Sequence, residues 1–266
     1  MRMQTSLAIF SLCGVLACKP KAESEPTMTK GTVLNGQHKF RPWFASIRVS
    51  LSGNAIGRCS GVLVGPRHVL TAAHCFDEAE SVSAIFYSEN MTPQQVKVAR
   101  WKIHPRYLQL KNTKGLGGVA SDLAVVVLNE PLVRSFASIE SSRMFSIRGG
   151  RYVGAGRIED DVRDGKVRYS QGLDAVKNVE PGVGASWLSK GDSLICNGDS
   201  GGPFFTSGGR LVGIASSVGV ASNSKDYCGA GDVVYHADVY SNIQWIACTY
   251  KGWGVPLPGF EKPTCK

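Results

Sequence analysis

The stretch Cys196-Asn197-Gly198-Asp199-Ser200-Gly201-Gly202-Pro203 places a serine among three glycines. Glycines flanking a serine let the main chain turn sharply and bring amide groups close to whatever the hydroxyl attacks. A serine hydroxyl is a weak nucleophile unless an imidazole takes its proton, and the imidazole works best when a carboxylate fixes its tautomer. The stretch therefore raises one question for the rest of the chain: whether it also carries a histidine and an acid in distinctive surroundings.

It does. Val69-Leu70-Thr71-Ala72-Ala73-His74-Cys75 supplies the first, and Ser121-Asp122-Leu123-Ala124-Val125-Val126-Val127-Leu128 the second. The order histidine, aspartate, serine differs from that of subtilisins and α/β-hydrolases. Outside these strings the chain is rich in short apolar or alternating runs. Phe44–Val49, Gly61–Val64, Leu123–Leu128 and Leu211–Ala215 are examples, with 31 glycines to serve the turns between them. Many short strands with glycine-rich turns predict an all-β sandwich or barrel. One helix is expected near the end, over Val239–Cys248, where Val239, Ile243, Trp245 and Ile246 approach a helical stripe. The tail beyond Trp253, with three prolines, reads as irregular.

Together the three strings resemble the chymotrypsin/trypsin family of serine proteases, from about Val33 to Trp245. The resemblance implies two packed antiparallel six-stranded β-barrels with a C-terminal helix. It implies Ser200 as nucleophile, His74 as base and later acid, and Asp122 as the orienting carboxylate. The amides of Gly198 and Ser200 would form the oxyanion hole, and Ser216 would support the aspartate. The expected activity is endopeptidase hydrolysis through an acyl-enzyme. A catalytically silent, protease-like binding module is the alternative, although no triad position is replaced. An α/β lipase or esterase fails on motif order and on the missing strand–helix alternation. His38, His68, His104 and His236 are given no catalytic role.

The family's cleaved N-terminus is matched by Val33-Leu34-Asn35-Gly36, and the acid it would pair with by Asp199. The residue before Val33 is Thr32, so an activating protease other than a trypsin-like one is expected. The base of the primary pocket falls on Leu194, with Val218 and Val233 as its walls. An apolar base disfavours a buried Lys or Arg head group, so small apolar residues are expected before the scissile bond. Asp232, one residue from that wall, keeps basic specificity open.

The N-terminus reads separately. Residues 1–17 have a positive start at Arg2, an apolar stretch from Leu7 to Leu16 and a small Ala17, as an export signal requires. The apolar segment is too short to span a bilayer. Ala17-Cys18 resembles a bacterial lipobox, which implies acylation of Cys18 and a membrane tether over residues 18–32, ahead of a protease domain over 33–266. Of eight cysteines, removal of Cys13 and reservation of Cys18 leave six, which suits an oxidising compartment and about 15 pairings. The resemblance selects Cys59–Cys75 and Cys196–Cys228. Cys248 and Cys265 remain to close the C-terminal segment.

The formal net charge is +9, yet basic residues are spread along the chain without a run of five or six. This predicts a soluble basic surface and no nucleic-acid partner. Neither the cysteines nor Asp77, Glu78 and Glu80 show metal-ligand spacing, so no metal or cofactor is expected. The expected partners are protein or peptide substrates, and the chain is expected to be an exported monomer.

Overall fold

The computed structural model describes residues 40–112, 117–157, 166–170, 172–181, 183–190, 195–219 and 233–265. The first six strands are β1 (Phe44–Leu51), β2 (Ile56–Gly65), β3 (His68–Thr71), β4 (Ala79–Tyr87), β5 (Pro93–Ile103) and β6 (Ala124–Leu128). They close into a barrel in the order β1-β2-β3-β6-β5-β4. Alternation along β1 buries Ala45, Ile47 and Val49, the period-2 pattern of a strand with one face inward. The run Ala124-Val125-Val126-Val127-Leu128 lacks alternation because β6 is buried throughout. It pairs with β3 and β5, and Tyr250 covers it from outside, its hydroxyl donating to the carbonyls of Val69 (2.8 Å) and Val126 (3.3 Å).

The second barrel comprises β7 (Ser146–Gly154), β9 (Leu173–Glu180), β10 (Gly184–Lys190), β11 (Pro203–Phe205), β12 (Leu211–Gly219) and β13 (Val233–Asp238). The strand order is β11-β12-β13-β10-β9-β7, and pairing of Phe204 with Tyr152 and of Phe205 with Arg151 joins β11 back to β7. A two-residue strand β8 (Arg168–Tyr169) hangs on β7. Trp187, Tyr152 and Phe204 fill this barrel, each under 2% exposed. The expected all-β architecture of two six-stranded antiparallel barrels is the observed one.

Two short helices, α1 (Pro105–Leu110) and α2 (Gly117–Ala120), precede β6. The C-terminal helix is also present, but a turn later than expected: a single 3-10 turn spans Tyr240–Asn242, and α3 runs Ile243–Gly252. The Asp238 carboxylate accepts from the Ser241 amide, and the Asn242 side chain returns to the Asp238 carbonyl, so the first residues of the expected helix make a capping turn. The buried stripe is accordingly Ile243, Ile246, Ala247 and Tyr250, spaced i, i+3, i+4, i+7. Trp245 packs beside this stripe against His104, with ring centroids 4.4 Å apart. A Cys248–Cys265 disulfide staples the irregular tail to α3.

Candidate active site

His74 sits on one 3-10 turn, Ala73–Phe76, directly after β3. The Cys59–Cys75 disulfide, with Cα atoms 6.3 Å apart, ties that turn to β2 and matches the expected pair. Asp122 lies between α2 and β6 and is 2% exposed. Its Oδ1 accepts from the His74 amide at 2.9 Å and its Oδ2 lies 2.7 Å from His74 Nδ1. Ser216, on β12 of the second barrel, donates its hydroxyl to the same Oδ2 at 2.5 Å. Three elements from two barrels thus meet on one carboxylate.

Burial alone would raise the Asp122 pKa, but the His74 charge and the hydrogen bonds from His74 and Ser216 outweigh it and hold the group below its ordinary value. For His74, burial lowers the pKa, whereas the Asp122 charge and hydrogen bond, with Asp77 further off, win and raise it above 6.5. The imidazole keeps 34% of its side-chain surface exposed. A charged imidazole is therefore supported at Nδ1 by a buried anion while the ring keeps an exposed edge.

Ser200 stands in the turn before β11. Its carbonyl accepts from the Ser60 amide at 2.7 Å, and Ser60 Oγ donates to the Gly198 carbonyl at 2.8 Å. Both bonds cross from β2 to the second barrel and set the serine loop against the wall that carries Cys75. Ser200 Oγ itself makes no hydrogen bond among the described residues, His74 included. Such contacts often tighten only when substrate binds.

The main-chain amides around Ser200 divide sharply. Those of Asp199, Gly201 and Gly202 donate to the carbonyls of Cys196, Ala215 and Asp199. Those of Gly198 and Ser200 donate to no acceptor among the described residues. Gly198 has φ +103° and Gly201 φ +82°, both in the region that favours glycine. At Gly201 a Cβ would also lie 2.1 Å from Thr71 Oγ1 and 2.2 Å from the Ser60 carbonyl. The loop shape thus requires glycine, and it leaves two donors beside one hydroxyl.

Asp199 is fully buried, with Oδ1 accepting from the Gly156 amide at 2.6 Å and Oδ2 from the Cys196 amide at 2.9 Å. Tyr152 donates its hydroxyl to the Asp199 carbonyl at 2.5 Å. Nothing in the sequence marks Tyr152 or Ser60 as part of the site. Their partners lie 47 and 138 residues away, and no local string announces such a bond.

The pocket walls need a correction. A bulge between Ala215 and Ser217 sets the register of β12 on β13, so Val218 pairs with Val234 and Val233 with Gly219. Side chains alternate along a strand, so Val218 and Val233 fall on opposite faces of this ribbon. Val234 is the residue that shares a face with Val218, and Asp232 lies outside the described residues. The expected Leu194, Val33, Cys18 and Cys228 lie outside the described residues. Cys196 is disulfide-bonded. Cys59, Cys75 and His74 bring three metal-type ligand atoms within 4.8 Å of one another, but the two sulfurs are joined to each other and offer no thiolate.

None of the three other described histidines joins this site. His68, His104 and His236 are buried and locally packed rather than exposed. His236, for example, stacks on Phe204 with ring centroids 4.5 Å apart.

Two six-stranded barrels with a His–Asp–Ser set at their junction define a chymotrypsin-like protein. A solved structure described as HL collagenase has this fold, with TM-score 0.61 and 21% identity over 83% of this chain and 98% of its own. The family model described as Trypsin matches residues 33–246, and the chain belongs to the trypsin family. It is a serine-type endopeptidase. A trypsin from Simulium vittatum is 28% identical over 82% of this chain and 94% of its own length. A chymotrypsin from Phaedon cochleariae is 26% identical over 77% and 76%, and a chymase from Rattus norvegicus 30% over 67% and 76%.

Proposed function

We propose that Ser200, His74 and Asp122 are the catalytic residues of this endopeptidase and that the Gly198 and Ser200 amides form its oxyanion hole. The observation that carries the reading is the pair of amides beside Ser200 that have no acceptor among the described residues, on a loop bonded to the wall that bears the His74–Asp122–Ser216 chain. His74 Nε2 takes the Ser200 proton as Oγ bonds to the substrate carbonyl carbon. The carbonyl oxygen gains charge between the two amides, where fixed donors are worth about 3 kcal/mol each. The C–N bond then breaks, the amine leaves with the proton held on His74, and water hydrolyses the ester by the same steps.

The finer reading follows the same residues. The chain is made as a zymogen, cleaved between Thr32 and Val33 by another protease, and the new ammonium pairs with Asp199. Buried amides already surround that carboxylate. Leu194, Val218 and Val234 make a shallow apolar pocket for small residues before the scissile bond. Cys196 pairs with Cys228. The protein is exported as a monomer, an expectation in keeping with its disulfides. A lipid on Cys18 rests on the Val15-Leu16-Ala17-Cys18 string alone, since the relatives named above are animal proteins.

A fluorophosphonate probe tests the assignment. The activated protein labels and Ser200→Ala does not; labelling that survives Ser200→Ala, or none in the activated form, refutes it and favours the silent binding module. Chromogenic peptides ending in Ala or Val are cleaved faster than those ending in Arg. The opposite ranking overturns the pocket.

A further inference from the structure

A pocket of about 300 Å³ lies away from the triad, lined by Arg41, Trp43, Arg151, Tyr169, Phe205 and Thr206 among others. The Arg41 guanidinium lies over the Tyr169 ring, 4.5 Å from its centroid. Trp43 and Phe205 pack with centroids 4.8 Å apart. The pocket therefore combines two guanidinium groups with an aromatic floor.

Neither arginine pairs with a carboxylate among the described residues. Partial burial, and then the like charge of Arg151, both depress the Arg41 pKa. Cations brought together in a recess without a counter-ion repel each other and lose hydration. Elsewhere on this molecule the geometry is different: Lys177 and Lys111 each lie within 3.1 Å of an aspartate. Two arginines that line one recess and feel each other's charge are suited to bidentate binding of a planar or tetrahedral oxoanion. The rings beside them suit an apolar body attached to that anion.

We propose that this pocket binds a small organic anion, its carboxylate or sulfate held by Arg41 and Arg151 and its apolar part lying against Tyr169, Trp43 and Phe205. The site is separate from the catalytic one, since none of His74, Asp122, Ser200 or Ser216 lines it. It is nevertheless connected to the nucleophile loop. Arg151 pairs with Phe205, and the next residue, Tyr152, holds the Asp199 carbonyl.

Isothermal titration of the full chain at low salt provides the test, with benzoate and phenyl sulfate as probes and benzyl alcohol and benzylammonium as neutral and cationic controls. At least one anion saturates the protein below about 10 mM, and the controls bind at least tenfold more weakly. Whichever anion binds more tightly identifies the headgroup as carboxylate or sulfate. Arg41→Gln and Arg151→Gln each weaken it by about 10- to 100-fold, the range for losing a charge-assisted hydrogen bond. Arg41→Lys, which keeps the charge but loses the fork, loses less than Arg41→Gln and serves as the control for folding. No saturation by either anion below about 10 mM overturns the proposal. So does equal binding of benzyl alcohol, or anion affinity unchanged in the two Gln variants.

Discussion

Asp122 accepts two hydrogen bonds from one residue: Oδ1 from the His74 main-chain amide at 2.9 Å, and Oδ2 from the His74 ring at 2.7 Å. The first bond holds the backbone of the turn and the second sets the ring's tautomer, so a single buried carboxylate fixes both where the imidazole is and which nitrogen bears its proton. In Asp122→Asn one amide oxygen can replace only one of these acceptors. The expected outcome is a loss of about 10⁴-fold in kcat, the size of the effect in related triads, with unfolding cooperativity retained. Steady-state kinetics on a small peptide substrate, beside a thermal melt, checks both halves.

The proposed base must be neutral to accept the Ser200 proton. The His74 pKa is raised above 6.5 in the free protein, so kcat/KM rises with pH through a midpoint above 6.5. Ser216→Ala removes one donor from Asp122 Oδ2 and shifts that midpoint, while leaving KM for a small substrate nearly unchanged. A limb centred at or below 6.5 in the parent would contradict the electrostatic account of the site.

His236 gives the opposite sign. It is fully buried, its pKa is pushed down by burial to about 3, and its Nδ1 has no partner among the described residues while Ser189 Oγ lies 2.9 Å from Nε2. Between about pH 4 and 6 the unfolded chain binds a proton here and the folded chain does not, so stability falls as pH falls, by about 1.4 kcal/mol per pH unit. His236→Phe keeps a ring against Phe204 and removes this share of the slope, leaving those of His104, whose pKa is about 4, and of His68, whose pKa burial also lowers. Denaturant midpoints at several pH values measure the difference. An unchanged slope would mean that His236 is protonated in the folded protein.

Lys177 and Asp238 form an ion pair at 3.1 Å whose side chains are 3% and 0% exposed, with the ammonium 4.6 Å from the centre of the Trp187 ring. Asp238→Ala leaves the cation buried without its counter-charge and removes the acceptor that caps the turn before α3. A destabilisation of about 3–5 kcal/mol is expected. Lys177→Met combined with Asp238→Asn costs less than Asp238→Ala alone, because no charge is then buried. Urea unfolding of the two variants gives the ranking directly.

Much of the site is legible as sequence because its chemistry is local. The glycines around Ser200, the turn carrying His74 and the apolar run after Asp122 are each written within eight residues, and the structure brings their elements together. Cys59 and Cys75 do pair beside His74. The pocket wall differs by one residue from the sequence expectation because a bulge between Ala215 and Ser217 decides which valine faces Val218, and a bulge has no composition of its own to recognise. The start of α3 differs for a related reason: Val239 is as apolar as the helix that follows and is already helical in its dihedrals, but the chain passes through a 3-10 turn over Tyr240–Asn242 first, and apolar spacing does not tell the two kinds of turn apart.

Short-range order thus determined the all-β class directly, and the reaction class and two-barrel architecture through the family resemblance that three short strings carry, since nucleophile, base, acid and strand periodicity are each written in a few neighbouring residues. Tertiary structure alone decided which main-chain amides beside Ser200 and which neighbouring cations stay unpaired among the described residues, and which residues brace the serine loop from the other barrel. These are relations between segments far apart in the chain, created when closing the two barrels fixes strand register, and no single segment carries them.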